Sequence, residues 1–80
     1  MAFSMDVVNA AWRRSGERCE CRRTTHGHTI PCNRVLVATN RGRDGAGAWE
    51  ANHRTRVESG GADTLSNCEI LCWSCHRATF

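Results

Sequence analysis

The six cysteines of this 80-residue chain fall into two groups, Cys19, Cys21 and Cys32 near the front and Cys68, Cys72 and Cys75 near the end. A chain this short buries too little apolar surface to offset its conformational entropy comfortably without a disulfide, a metal or a partner. Whatever joins the two cysteine groups therefore decides the fold. The opening MAFSMDVVNAAWRRSG has no basic leader before an apolar run and no small-residue cleavage site, so it does not read as a secretory signal. No apolar stretch approaches the ~20 residues that span a bilayer, and no membrane association is expected. These features point to the cytoplasm, where clustered cysteines hold metal more often than they form disulfides.

Cys72 and Cys75 form a C-x-x-C, a knuckle that turns two sulfurs toward one tetrahedral metal at Zn–S of ~2.3 Å. The front group supplies the other pair for a four-thiolate structural zinc. Which two complete it is open, because C-x-C is a tighter spacing than C-x-x-C and Cys32 lies further along; Cys19 with Cys32 is favoured, with Cys21 as the substitute. The competing reading is a redox C-x-x-C or a set of buried free thiols. Cys68 occupies an apolar position of a strand candidate and reads as a small core hydrophobe. His26 and His28, flanking Gly27 in a polar loop, read as solvated histidines, with metal or phosphate contact as the alternative.

All eleven basic residues are Arg, a choice that suits planar contact with phosphate but is equally the signature of a GC-rich genome. The formal charge of +3 counts cysteines as thiols; four thiolates around one zinc would carry −2 and leave about +1. Global charge is thus a weak argument for nucleic acid, and local clustering has to do the attracting.

Along the chain, residues 4–14 place Val7, Val8, Ala11 and Trp12 at helical spacing, with Ser4 as the cap and Gly16 as the stop. RVLVAT is a β-branched strand candidate, NRGRDGAG a turn, AWEANHRTRV a second strand running into a loop, and ESGGADTLSN a connection. CEIL suits a short strand, and residues 72–79 a closing helix. The organisation expected is one α+β domain: an N-terminal helix over residues 1–18, a zinc-bearing loop and strand over 19–48, and a strand–strand–helix unit over 49–80. Trp12, Trp49 and Trp73 read as core filling.

The ordered set His53, Gly60 with Gly61, Asn67, then Cys72, Cys75 and His76 resembles the HNH endonuclease family with its ββα-metal (His-Me finger) fold, over residues 49–80 and more loosely over 12–37. The resemblance implies a phosphodiester hydrolase that leaves 5′-phosphate and 3′-hydroxyl ends on DNA. It assigns His53 as general base, His76 as ligand of a catalytic divalent ion, and Asn67 as the amide that braces the loop. A set of imidazole and oxygen ligands suits Mg2+, Mn2+, Ni2+ or Co2+. Zn2+ held by four thiolates has no open position and would be structural.

One departure stands out. The family has Asp or His before the base, and here it is Asn52, a neutral oxygen donor that binds a hard cation more weakly. Glu50, two residues back on the same face, is the candidate for the missing carboxylate. Arg54, Arg56 and Arg77 are the candidate contacts to DNA phosphates. Small members of the family occur in phage genomes beside packaging terminases, so the resemblance implies double-stranded DNA as partner, a terminase as a candidate second one, and a bacterial or phage-infected cell. The competing class is a non-catalytic zinc-stapled module binding nucleic acid or protein. Oligomeric state, sequence preference, and nicking versus double-strand cutting are open at this level.

Overall fold

Ser4 starts the first helix in the way its sequence position demands. In the computed structural model, which describes residues 3–43 and 45–79, its Oγ accepts the Val7 N–H at 3.2 Å, and helix α1 spans Met5–Ser15. Asp6 in the first turn and Arg13 and Arg14 in the last complement the helix dipole. Gly16 ends α1 in the left-handed region at φ 66, where its N–H returns to the Arg13 carbonyl. The buried face carries Val8 and Ala11.

Strand β1, Trp49–His53, pairs antiparallel with strand β2, Cys68–Cys72, from Trp49 opposite Cys72 to His53 opposite Cys68. β2 is buried along its whole length, whereas β1 buries only Trp49 fully. The sheet is therefore covered by α1 and by the chain before β1. Trp12 stacks on Trp49 at 4.5 Å between ring centroids, and the Trp49 Nε1–H donates to the Val37 carbonyl at 2.9 Å. Arg14 fastens α1 to β2, donating to the Cys68 carbonyl at 2.6 Å and to Glu20 at 2.6 Å.

Helix α2 is a single short stretch, Trp73–Arg77, that begins where β2 ends. A five-residue helix has no stability of its own, because nucleation fixes several dihedrals for very few hydrogen bonds. Its position depends on what holds Cys72 and Cys75.

The connection between the strands contains two 3-10 turns, Val57–Ser59 and Leu65–Asn67. Gly61 sits under the Thr55 carbonyl so closely that a Cβ there would lie 1.8 Å from its oxygen, so no side chain fits at this position.

The strand expected from RVLVAT does not form. Val35 makes an isolated bridge to Arg18, the Leu36 N–H goes to the Glu17 carbonyl and the Val37 N–H to the Gly47 carbonyl. The partners belong to two different segments, so no continuous ladder develops, and Ala38–Asn40 turns away in a 3-10 turn. Leu36 is buried while Val35 and Val37 stay exposed. The expected turn over NRGRDGAG includes residue 44, outside the described residues; beside it, the Asn40 amide donates to the Ala46 carbonyl at 3.0 Å. The result is a small α+β domain of one helix, a two-stranded antiparallel sheet and a second, short helix. No helix among the described residues is long and apolar enough to cross a membrane.

Candidate metal centre and active-site cleft

The sulfurs of Cys19, Cys32, Cys72 and Cys75 lie within 4.8 Å of one another. A tetrahedral zinc with Zn–S of ~2.3 Å separates its sulfurs by about 3.8 Å, so four free thiols in this arrangement could hold the ion with no open position. Two donors come from the loop after α1 and two from the start of α2. The front pair is the Cys19 and Cys32 preferred from spacing. Cys21 turns elsewhere, into a second group with His26, His28 and Cys75. Cys68 is fully buried in β2 and, among the described residues, belongs to neither group.

The protons in the first group are unevenly held. A hydrogen bond between Cys19 and Cys72, aided by burial, pushes the Cys19 thiol up; the same bond brings Cys72 down to about 4 against its own burial. Burial, with the neighbouring Cys72, pushes Cys75 up. The metal-free centre is a thiolate sharing the protons of its neighbours, an arrangement that a dication replaces by four metal–sulfur bonds.

On the far side of α2 lies a cleft of about 340 Å³. Asn52 and His53 from the end of β1 line it together with His76 from α2, and Arg56 and Glu58 stand at its edge. The His53 ring stacks on Phe3, with centroids 3.9 Å apart and planes at 19°. Its Nε2 lies 2.7 Å from Asp63 Oδ1.

Asn52 donates through Nδ2 to Glu69 Oε1 at 2.9 Å and to the His53 carbonyl at 3.2 Å, so its carbonyl oxygen is the atom it can offer to another group. Glu69 is 3% exposed within β2 and also receives Arg23 at 2.5 Å and Arg54 at 3.5 Å. The side chain of Asn67 bridges the loop after His53: Oδ1 accepts the Thr55 N–H at 2.7 Å, and Nδ2 donates to the carbonyls of Thr55 at 3.0 Å and Ala62 at 2.9 Å.

Of the other candidates, only Arg56 lines the cleft. Glu50 shares the Asn52 side of β1, but Arg41 holds it at 2.6 Å and it does not line the cleft. Arg54 and Arg56 border an adjoining hollow of about 200 Å³, where Arg23 joins them beside Asn52 and His53. Arg77 lines a different hollow, with Arg34 and Trp73.

Four residues of this site carried no signal in the sequence. Phe3, Asp63 and Glu69 reach it from the chain start, the connecting loop and the buried strand. Arg23 reaches it from 46 residues before Glu69. Each is an ordinary letter in its local context, and only the tertiary path brings it to Asn52 and His53.

No curated protein matches the chain. The family model described as HNH endonuclease matches residues 17–79, and the chain belongs to that family.

Proposed function

On the premise of that family membership, we propose that the chain is a metal-dependent DNA endonuclease, cutting or nicking double-stranded DNA to leave 5′-phosphate and 3′-hydroxyl ends. The observation that carries the reading is the meeting of Asn52, His53 and His76 in one cleft formed by β1 and α2. Family membership supports nuclease chemistry, and this cleft supports its location.

In this reading His53 is the general base. If Nε2 donates its hydrogen to Asp63, Nδ1 holds a lone pair, and among the described residues it has no hydrogen-bond partner. Nδ1 takes the proton of the attacking water, a role worth about 10²- to 10⁴-fold in rate. The stacked Phe3 ring limits rotation of the imidazole, and Asn67 fixes the backbone that follows it.

Asn52 and His76 would hold the divalent ion, through an amide oxygen and an imidazole nitrogen, a donor set that fits Mg2+, Mn2+, Ni2+ or Co2+. When bound, such an ion stabilises charge on the scissile phosphate and the departing 3′ oxygen. Glu69 and the His53 carbonyl support this by accepting from the Asn52 amide nitrogen, which leaves the carbonyl oxygen to be offered to the ion. Arg23, Arg54 and Arg56 are placed to meet the flanking phosphates.

The test is conversion of supercoiled plasmid by purified protein across Mg2+, Mn2+, Ni2+ and Co2+, with His53→Ala in parallel. Nicked or linear product from the wild type alone is the expected result. If neither protein cuts with any ion while both bind DNA, the zinc-stapled binding module is the correct reading.

A further inference from the structure

The loop between Cys19 and Cys32 is inverted relative to ordinary burial. Its one large apolar residue, Ile30, is 49% exposed, while His26 and His28 are half-buried between exposed threonines and glycine. No helix or strand holds this segment. Something other than apolar packing must draw its imidazoles inward.

His26 Nε2 lies 3.5 Å from Cys21 Sγ, and His28 Nε2 lies 3.1 Å from His26 Nε2. With Cys75 Sγ, these donor atoms all fall within 4.8 Å of one another. A tetrahedral zinc with Zn–N of ~2.05 Å and Zn–S of ~2.3 Å sets nitrogens about 3.3 Å apart and nitrogen and sulfur about 3.6 Å apart. The two edges that meet at His26 lie close to these values, and the remaining ones fall within the 4.8 Å bound. Hydrogen bonding explains them less well, because the single Nε2 of His26 faces a sulfur and another ring nitrogen at once and carries at most one hydrogen.

The opposite ring nitrogens are arranged as those of metal ligands are. His28 Nδ1 lies 2.6 Å from the Thr29 carbonyl, a contact that needs the hydrogen on Nδ1 and leaves the Nε2 lone pair toward the cluster. His26 Nδ1 lies 3.3 Å from the Thr25 hydroxyl. We propose that Cys21, His26 and His28 form a second zinc site that shares Cys75 with the four-cysteine centre.

A thiolate has lone pairs enough to bridge two ions, and Cys75 is the residue common to both groups. Charge favours the pairing. Four thiolates and one zinc leave −2 in a buried centre, whereas five thiolates and two zincs leave −1, with Arg23 at 3.6 Å from Cys21 Sγ beside them. Sulfur and imidazole donors select zinc over magnesium or calcium. The second ion would order the loop that carries Arg23 toward the cleft. The inference concerns the staple and is independent of the nuclease reading.

The test uses the intact chain produced with zinc and dialysed free of excess metal. Zinc per chain is measured by mass spectrometry of the elements, and the zinc environment by X-ray absorption. The expected result is two zincs per chain, a first shell averaging about three sulfurs and one nitrogen, and a zinc–zinc scattering path. His26→Ala with His28→Ala should fall to one zinc and an all-sulfur shell, with the far-ultraviolet circular dichroism unchanged. One zinc per chain in the wild type, whatever its shell, overturns the proposal, as does a double variant that retains two. Should the double variant fail to fold, the wild-type stoichiometry and shell decide alone.

Discussion

Asp63 Oδ1 lies 2.7 Å from Nε2 of His53, tying the last residue of β1 to the loop ten positions further along. The contact favours the tautomer with its hydrogen on Nε2, and in the proposed reading this leaves Nδ1 for proton transfer, with Phe3 stacked on the ring.

Replacing Asp63 by Asn should therefore slow cleavage about 10- to 100-fold, the usual cost of losing a group that orients a ligand or base. DNA affinity and thermal stability should stay close to those of the wild type. Single-turnover nicking rates alongside a DNA-binding titration separate the two effects. A rate within about twofold of the wild type would remove Asp63 from the mechanism.

Glu69 is the buried carboxylate on which Arg23, Asn52 and Arg54 converge. Glu69→Ala leaves the Asn52 amide and a half-buried guanidinium without their acceptor, and should cost about 1–3 kcal/mol after allowance for the partly exposed arginines. Urea denaturation reads the loss directly. Glu69→Gln keeps one acceptor oxygen and should lose less.

Cys72→Ser and His76→Ala should fail in different ways, although only four residues separate them. The first removes a zinc ligand and should abolish the cooperative thermal transition, since α2 is too short to persist untethered. The second should keep zinc and the transition but lose cleavage. Equal loss of thermal stability in both would merge the staple with the cleft.

Acid should release the structural metal. Cys19 and Cys75 are pushed up in the metal-free protein, the first by its bond to Cys72 and the second by burial, so zinc uptake must expel their protons. Binding then weakens as pH falls, by about tenfold per unit for each proton displaced. The Cys72 thiol, at about 4, contributes to this slope only in stronger acid. Zinc release followed with a chromogenic chelator from neutral pH downward checks the sign. Retention that strengthens in acid would contradict it.

Much of the frame was legible because its signals are local. Ser4 and Gly16 act within one turn of α1, and the spacing of Cys72 and Cys75 is fixed by a few bonds. The preference for Cys19 and Cys32 also rested on spacing, and those two do meet the C-x-x-C pair. RVLVAT shows where local signals stop. Its residues favour extended backbone, but Ala38 and Thr39 enter a 3-10 turn, and a strand requires a neighbour along its length, whereas here the partners are split between two segments.

The site needed the tertiary structure for the same reason. Alternation placed Glu50 on the side of Asn52, yet Arg41 captures it. Spacing left His26 and His28 as solvated histidines or as metal or phosphate contacts, and the loop path brings both to Cys21. Asp63, Glu69 and Phe3 meet the cleft through packing of segments far apart in the chain. Periodicity, caps and ligand spacing are properties of neighbouring residues, so the sequence alone determined the first helix, the strand–strand–helix unit and the cysteines that could share a metal. Which side chain faces which depends on contacts between segments far apart in the chain, and only the folded chain decides those.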